Sequence, residues 1–253
     1  MITCSLQSGS NGNAIYVEAD GVRLLFDGGI SGRQARQRLA ARGRDIRAVD
    51  ALLLSHDHTD HVCCAGIYQR RFGLPIYVTR PTFRRIRGQL GKVNDVRHFA
   101  AGDTLVFGPV AVHTCRTPHD AVDGVVFIVE SRGRRLGIFT DLGHPFAGLP
   151  ELLESVDAAY LESNYDPRML AEGPYPPHLQ ARIRGSGGHL SNPESAELIR
   201  QCGPRRYRWI ALAHLSEHNN RPEVAVATHR AVLGERLPLV LASRYGPSPL
   251  LEV

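Results

Sequence analysis

The sequence contains one lysine, Lys92, so arginine supplies almost all of the positive charge. Lysine and arginine number 30 against 25 aspartates and glutamates, and the formal net charge is +5. The planar guanidinium group of arginine suits bidentate contacts with phosphate. This excess therefore fits an anionic substrate such as nucleic acid, although a compositional bias would produce the same balance.

Cysteine is scarce and irregularly placed. The chain has an odd number of cysteines and no C-x-x-C pair; they are Cys4, Cys63, Cys64, Cys115 and Cys202. This argues against the disulfide framework of a small secreted protein and predicts reduced thiols in a cytoplasmic protein. Cys63 and Cys64 directly follow a histidine-rich segment. We interpret them as packing residues at the start of a helix rather than as metal ligands.

Long apolar runs, low-complexity linkers and internal repeats are also missing. No apolar run approaches the roughly 20 residues that cross a bilayer, so we expect no membrane association. The first residues lack the basic and apolar regions of a secretory signal, which again favours a cytoplasmic location. With 253 residues and no linker, the chain is predicted to form a single domain over 1–253.

Short apolar runs alternate with amphipathic stretches along the chain. Runs rich in β-branched and aromatic residues predict strands at 2–6, 14–19, 22–27, 51–55, 76–79, 104–108, 110–115, 125–131, 135–141, 158–163, 208–214 and 239–243. Amphipathic stretches predict helices at 31–42, 60–72, 81–90, 147–154, 193–202 and 221–233. This pattern predicts sheets that pack on each other and are covered by helices.

The segment LLLSHDHTDHVCC, residues 52–64, places three histidines and two aspartates after an apolar strand. His56 and His58 are two positions apart and would point the same way on an extended backbone. Asp60 and His61 follow where the chain should turn into a helix, so each pair could face a different metal ion. Imidazole and carboxylate ligands suit Zn, Mn or Fe. A surface loop rich in histidine by chance is the alternative, and H-x-H-x-D-H at a strand end argues against it.

Two ions need further ligands, and other predicted strands end in suitable residues. His119, Asp141 and His214 each follow an apolar strand, and a carboxylate such as Asp141 can bridge two ions. His189 lies between a glycine-rich loop and a predicted helix start. It is the rival of His214 as a metal ligand, and its alternative roles are contact with a substrate phosphate or proton donation.

With these residues the chain resembles the metallo-β-lactamase superfamily of metallohydrolases. Asp27, in LLFDGG, matches the first motif, an aspartate that orients the histidine loop. The resemblance implies an α/β fold, the four-layer αββα sandwich of two mixed β-sheets flanked by helices. It also implies that His56, His58 and His119 hold one ion, that Asp60, His61 and His214 hold the other, and that Asp141 bridges them.

Within the superfamily the chain is similar to the YycJ/WalJ-type exonucleases. The matching segments are SGSNGN (8–13), TDLG (140–143), ESNYD (162–166), GHLSN (188–192) and AHLSE (213–217). Tyr165 stands where histidine is usual in the subfamily, and Cys63 and Cys64 stand where aliphatic residues are usual. These departures spare every predicted metal ligand.

The resemblance implies a dinuclear hydrolase with two divalent ions per chain, Zn or Mn, that acts on nucleic acid. The expected activity is 5′ to 3′ exonucleolytic cleavage of DNA, with RNA as a second candidate polymer. A metal-bridging hydroxide would be the nucleophile, with Asp60 and His189 as catalytic residues that orient it and protonate the leaving oxygen. The same ligands could open a thioester or a lactone, so the nuclease interpretation depends on the subfamily resemblance and the basic balance.

Three arginine groups are candidates for phosphate contact, at 80–87, at 182 and 184, and at 205, 206 and 208. We favour the first group, with Arg80 and Arg84 as substrate-binding residues beside Ser191. Solvated helix faces would look the same in the sequence, and Ser191 could instead cap the helix that follows it. The sequence does not indicate the oligomeric state.

Overall fold

A computed structural model describes residues 1–203 and 207–253 and contains two seven-stranded sheets with helices on their outer faces. The predicted four-layer αββα sandwich is confirmed. The strands are β1 (Ile2–Gln7), β2 (Ala14–Ala19), β3 (Val22–Phe26), β4 (Ala51–Leu53), β5 (Ile76–Thr79), β6 (Val96–Phe99), β7 (Thr104–Phe107), β8 (Val110–Arg116), β9 (Val125–Ser131), β10 (Arg134–Phe139), β11 (Ala158–Glu162), β12 (Trp209–Ala213), β13 (Leu239–Leu241) and β14 (Leu251–Glu252). The helices are α1 (Gly32–Ala40), α2 (Thr59–Val62), α3 (Ala65–Phe72), α4 (Arg80–Leu90), α5 (Leu149–Glu154), α6 (Pro167–Glu172), α7 (Pro177–Arg184), α8 (Asn192–Cys202) and α9 (Pro222–Leu233), with a 3₁₀ turn at Ile46–Ala48.

The two sheets have the same internal arrangement. The first has the order β14-β1-β2-β3-β4-β5-β6 and the second the order β13-β12-β11-β10-β9-β8-β7. In each sheet four strands pair antiparallel and three more are added in parallel. Parallel strands bring their carboxyl ends to one edge, so each sheet supplies several chain turns at the same edge.

The inner faces of the sheets form the central core. Alternate residues of β2 and β3 meet alternate residues of β9 and β10, as the two-residue side-chain period of a strand requires. Phe26 and Phe127 pack across the interface with ring centroids 5.0 Å apart. This packing fixes one sheet against the other and therefore fixes the relative position of their edges.

The outer faces are covered by helices with apolar inner sides. Helices α1, α3 and α4 cover the first sheet through residues such as Leu39, Tyr68 and Ile86. Helices α5, α8 and α9 cover the second sheet. Several helices begin at strong start signals: Ser31 and Ser191 each form a capping box, and Pro193 and Pro222 lie in first turns. In the part of the chain that the structure describes, no helix combines the length and apolar character needed to cross a membrane.

The predicted helix at 60–72 is wrong in one respect, because the structure divides it into α2 and α3. The loop after β3 causes the break: Gly28 N donates to His61 O at 2.7 Å, and Cys64 N donates to Gly28 O at 2.9 Å. Cys63 and Cys64 therefore lie at a helix start, as predicted. Strands β6 and β14 and helices α6 and α7 were not predicted, and Arg205 and Arg206 lie outside the described residues.

Candidate metal centre

The candidate site lies at the edge where β3, β4, β8, β10 and β12 end. Asp27, Asp141 and His214 each follow a strand and adopt left-handed backbone conformations, with φ of 64°, 58° and 56°. Such conformations are uncommon outside glycine and turn the chain sharply, so they cluster where function requires a particular side-chain direction. Here the turns direct a carboxylate or an imidazole over the sheet edge from each of three strands.

His56, His58 and His119 form the first group of potential metal ligands, with ring nitrogens within 4.8 Å of one another. His119 Nδ1 lies 2.8 Å from Gly188 O, and a carbonyl oxygen only accepts, so Nδ1 carries the proton. The lone pair of His119 Nε2 is therefore directed at the group, 3.1 Å from His58 Nδ1. His56 Nε2 is buried without a hydrogen-bond partner among the described residues, which fits an atom placed to bind an ion.

Asp60, His61 and His214 form the second group, also with ligand atoms within 4.8 Å of one another. Asp60 Oδ2 lies 3.5 Å from His61 Nε2 and 3.4 Å from His214 Nε2. Gly29 carries the chain past this group so closely that an added Cβ would lie 1.6 Å from Asp60 O. Only glycine fits there, because any side chain would displace the backbone that presents Asp60.

Asp27 connects the two groups. His61 Nδ1 donates to Asp27 Oδ2 at 2.7 Å, and Ser55 Oγ donates to the same oxygen at 3.0 Å. Since the Ser55 hydroxyl proton is directed at Asp27, its oxygen accepts from His56 Nδ1 at 2.8 Å. One carboxylate thereby orients both histidines and leaves both Nε2 atoms facing the site, the arrangement expected beside metal-binding imidazoles.

Asp141 lies between the two groups. Its Oδ2 is 3.3 Å from His61 Nε2, and its Oδ1 is 3.5 Å from His214 Nδ1 and 3.7 Å from His119 Nε2. The carboxylate is buried, and Oδ2 has no hydrogen-bond partner among the described residues. An unpaired buried carboxylate oxygen is costly unless a cation compensates it, so this position fits a ligand shared by two ions.

Glu162 is a site residue that the sequence reasoning did not assign. Its side chain is fully buried, and Oε2 accepts from Leu142 N at 2.9 Å and Leu190 N at 3.3 Å. Oε1 accepts from His189 Nδ1 at 2.6 Å and lies 3.4 Å from His214 Nδ1. An acidic residue at the end of the buried strand β11 was the available signal, since glutamate is rarely buried without a partner.

The surroundings of Asp141 and Glu162 favour their ionised forms. Burial opposes ionisation of Asp141, but His214, His61 and His56 outweigh it and hold the pKa well below its usual range. Burial opposes ionisation of Glu162 as well, and His189 lowers its pKa to about 2. The resulting negative charge in a buried volume attracts cations.

The histidines separate into two classes. Burial lowers the pKa of His56 and of His119. Burial also opposes protonation of His61 and His214, but nearby carboxylates, Asp141 first, raise the pKa of both, that of His214 to about 10. Protons on these two rings would compete with a metal ion, because a ligand nitrogen must release its proton.

A groove of about 610 Å³ opens above these residues. Helix α4 lines the groove through Arg85 and Gln89, and Tyr175 and Arg182 also line it, together with the ligand-type residues Asp60, Asp141, His189 and His214. Arg182 donates to both oxygens of Asp120 at 2.5 and 3.1 Å, and Asp120 Oδ1 lies 3.5 Å from His58 Nε2. The Arg182–Asp120 pair thus lies beside the first histidine group.

The structure places the predicted substrate-binding residues elsewhere. Arg80 and Arg84 are exposed on α4 and are not among the groove-lining residues, whereas the neighbouring Arg85 is. Ser191 caps α8: it accepts from Glu194 N at 3.3 Å and donates to Glu194 Oε2 at 2.6 Å. The helix-cap alternative therefore describes where Ser191 lies.

The segment SGSNGN forms a tight turn between β1 and β2, in which Gly12 N donates to Gly9 O at 2.9 Å, and the turn borders the site. Asn13 Nδ2 lies 3.0 Å from His61 Nε2 and 3.2 Å from Asp60 Oδ2. Ser8 Oγ accepts from His214 N at 2.9 Å. The turn thus contacts the side chains of Asp60 and His61 and the backbone of His214.

Comparison with known proteins gives a consistent result. The family model described as the metallo-beta-lactamase superfamily matches residues 8–166. Exodeoxyribonuclease YycJ of Bacillus anthracis is 31% identical over 233 residues, 91% of this chain and 88% of the relative. Exodeoxyribonuclease WalJ of Streptococcus pneumoniae serotype 2, strain D39, is 34% identical over 228 residues, 88% of this chain and 84% of the relative. The crystal structure of the metallo-beta-lactamase fold protein YhfI from Bacillus subtilis matches 98% of this chain and 99% of its own, with a TM-score of 0.75 and 16% identity.

Proposed function

The chain belongs to the metallo-β-lactamase superfamily of metal-dependent hydrolases, and on that premise we propose that it is a dinuclear metal-dependent phosphodiesterase. Its proposed activity is 5′ to 3′ exonucleolytic cleavage of DNA, with RNA as a second candidate polymer. One observation carries the proposal: two groups of three potential ligands flank Asp141 at the base of a groove that Arg85 and Arg182 also line. We also propose that residues 1–253 act as one domain.

The proposed ligands divide between two ions. Each ion would bind one of the two groups, with Asp141 shared between them. The fit rests on the buried, unpartnered His56 Nε2 and Asp141 Oδ2 and on imidazole and carboxylate donors that suit Zn or Mn. When bound, two such ions make water nucleophilic near neutral pH and offset negative charge at a phosphate.

Asp60 is the proposed catalytic carboxylate at the groove base. Burial opposes ionisation of Asp60, but His61 and hydrogen bonding with His214 keep its pKa well below its usual value. The ionised carboxylate accepts a hydrogen bond from an attacking water and orients it rather than holding a proton of its own. Asn13, which donates to Asp60 Oδ2 at 3.2 Å, fixes the carboxylate in this direction.

His189 is the proposed proton donor to the leaving oxygen. Its Nδ1–H donates to Glu162, so its Nε2 is available to the groove that the residue lines. A buried carboxylate behind an imidazole fixes the orientation and tautomer of the ring, as in other catalytic histidine pairs. Glu162 is thus a positioning residue for His189.

Arg85 and Arg182 are the proposed phosphate-binding side chains, since both line the groove. Arginine holds phosphate with paired hydrogen bonds. Relatives that this chain matches over most of their length are named as exodeoxyribonucleases, which supports DNA as the substrate and cleavage from an end.

The test is degradation of DNA and RNA labelled at either end, single- and double-stranded, with added Mn or Zn. We expect progressive loss of mononucleotides from the 5′ end and no cutting of covalently closed circles. The Asp60→Ala/His61→Ala double variant should be inactive, whereas His113→Ala, which removes a histidine that contacts Glu130 on the second sheet, should retain full activity. If the wild type binds two ions per chain and cuts no polymer, the nuclease proposal is wrong, and thioesters and lactones become the substrates to assay.

A further inference from the structure

Positive charge is concentrated in one part of the chain. Residues 31–92 contain twelve arginines, one lysine and four aspartates, with no glutamate, which gives a formal net charge of +9. The whole chain has a net charge of +5, so the remaining residues are net negative. In the fold, residues 31–92 form mainly the helical layer over the first sheet, α1, α3 and α4. The basic character of the protein is therefore a property of one face.

A hollow of about 790 Å³ lies on this face, away from the groove. It is bordered by α1, the 3₁₀ turn and α3, and its five exposed arginines are Arg33, Arg36, Arg47, Arg70 and Arg71. We refer to it as the arginine hollow. Five guanidinium groups around one concavity repel one another, so an anionic ligand would stabilise the arrangement.

The arginines of the hollow lack acidic partners. Among the described residues, the side chains of Arg33, Arg36, Arg47 and Arg71 form no ion pair or hydrogen bond. The two aspartates nearest to Arg47 in the sequence accept hydrogen bonds from backbone N–H groups: Asp45 Oδ1 from Arg47 N at 3.0 Å, and Asp50 Oδ2 from Arg23 N at 2.7 Å. The guanidinium groups are thus available to a ligand.

Helices α3 and α4 lie between the hollow and the groove, since α3 lines the hollow and α4 lines the groove. Arg85 on α4 lines the groove, and Arg70 Nη1 donates to Leu90 O at 2.6 Å and Lys92 O at 3.1 Å, which ties α3 to the end of α4. Helix α3 begins against the metal-site loop, where Gly28 packs on Ala65, and ends at the hollow. Its eight residues cover about 12 Å, close to four phosphate spacings of about 3.4 Å along one strand.

From this arrangement we propose that the arginine hollow binds the phosphate backbone of DNA several nucleotides from the bond being cut. The choice of DNA rests on the proposed function. The hollow would anchor the duplex while the chain end occupies the groove, with contacts that depend on charge and not on sequence. Long substrates would use both surfaces, and substrates of one or two nucleotides would use the groove alone.

The experiment compares two double variants that lose the same charge. Arg36→Gln/Arg71→Gln alters the hollow, and Arg132→Gln/Arg200→Gln removes two exposed arginines that pair with Asp20 and Glu197 on other surfaces. Binding of a duplex of about 30 base pairs is followed by fluorescence anisotropy in EDTA over a range of NaCl concentrations. Hydrolysis of bis(p-nitrophenyl) phosphate with Mn reports on the centre alone.

We expect the hollow variant to weaken DNA binding about tenfold and to reduce the salt slope by about two, one for each lost phosphate contact. The control variant should change the slope by much less, and neither variant should alter hydrolysis of the small ester. Equal effects of the two variants would overturn the inference, even if the wild type degrades DNA. If the hollow variant lost binding to phosphatidylglycerol vesicles but kept wild-type DNA binding, the inference would also be overturned, in favour of a surface that binds membranes.

The two proposals can fail separately. A wild type that binds DNA through the hollow and cuts no polymer would contradict the proposed function and support the hollow. If the wild type degrades DNA and neither binding nor degradation depends on Arg36 and Arg71, the result would support the proposed function and contradict the role of the hollow.

Discussion

Glu162 Oε1 and His189 Nδ1 lie 2.6 Å apart, and the carboxylate is fully buried behind the imidazole. Glu162 is held in turn by two backbone N–H groups, so its position does not depend on substrate. Glu162 thus holds the His189 ring, which carries its proton on Nδ1, in a fixed position at the groove. This geometry leads to the first prediction.

Glu162→Gln should lower kcat about 100-fold with little change in KM, because His189 loses the carboxylate that fixes the orientation and tautomer of its ring. The measurement is steady-state cleavage of a short labelled oligonucleotide. Since Glu162 also lies near His214, metal content is measured on the same preparation and should remain at the wild-type value. In the double variant with His189→Ala, the loss should equal that of His189→Ala alone. Losses that multiply would mean that the two residues act independently.

Asp27→Asn should weaken metal binding about 10- to 100-fold, because Asp27 orients His61 directly and His56 through Ser55. Competition with a metal-sensitive dye measures the affinity, and no substrate is needed. The matched control is Asp20→Asn, since Asp20 is also an aspartate with a left-handed backbone, φ 49°, at the turn between β2 and β3. Equal affinities in the two variants would contradict the role given to Asp27.

Removal of divalent ions should lower the thermal stability of the protein. Four carboxylates lie close together at the site, and bound ions would offset their repulsion. At a metal concentration of 100 times Kd, binding adds about 2.7 kcal/mol to the free energy of unfolding. For a chain of this size that corresponds to a Tm change of roughly 5–10 °C. Differential scanning fluorimetry before and after EDTA treatment, with Zn or Mn restored, measures the change. A Tm that does not change after EDTA treatment would argue against bound ions that offset the repulsion between the carboxylates.

His229 should make the protein acid-sensitive independently of the metal centre. It lies fully buried between α8 and α9, where Nδ1 donates to Ala225 O at 2.8 Å and Nε2 lies 3.2 Å from Ser195 Oγ. Burial lowers its pKa to about 4, against about 6.5 in the unfolded chain. The unfolded state therefore binds the proton first, and stability falls as pH drops from about 6.5 towards 4.

The expected loss from His229 is about 2 kcal/mol between pH 7.5 and pH 5. Urea unfolding at the two pH values measures it, with His229→Gln as the comparison, since glutamine keeps a polar group and does not titrate. The difference between wild type and variant isolates His229 from the other histidines. The same pH dependence in both proteins would contradict this prediction, because it would mean that His229 binds its proton equally well in the folded and the unfolded state.

The fold was predictable because each strand carried its own local signal. The predicted strands AIYVEA and VVFIVES match β2 and β9 residue for residue. Runs rich in β-branched and aromatic residues favour strands over other secondary structures. Strand β6, VRHF, was missed because it has four residues and only its two end positions are apolar, so it shows no two-residue alternation. Strand β14 has two residues, which is too short for any periodicity.

The site was predictable to the extent that its residues follow strands. His56, Asp141 and His214 stand directly after apolar runs, and the structure brings them together. Glu162 and Asp120 belong to the site through contacts with residues far along the chain, which a single sequence does not reveal. On α4, successive residues differ by about 100° around the helix axis. The choice between Arg84 and Arg85 therefore depended on packing that the sequence leaves open.

The identical order of the two sheets has a consequence for biosynthesis. Each proposed ion would be held by residues that follow strands of both sheets: His56 and His58 with His119, and Asp60 and His61 with His214. The second ion therefore cannot be bound until translation has passed β12 and residue 214 has emerged from the ribosome. A prematurely terminated chain that ends before this point would carry the arginine-rich face without a complete centre. Under the proposed function, a chain that lacks His214 would lack a ligand of the second ion and would not cut DNA.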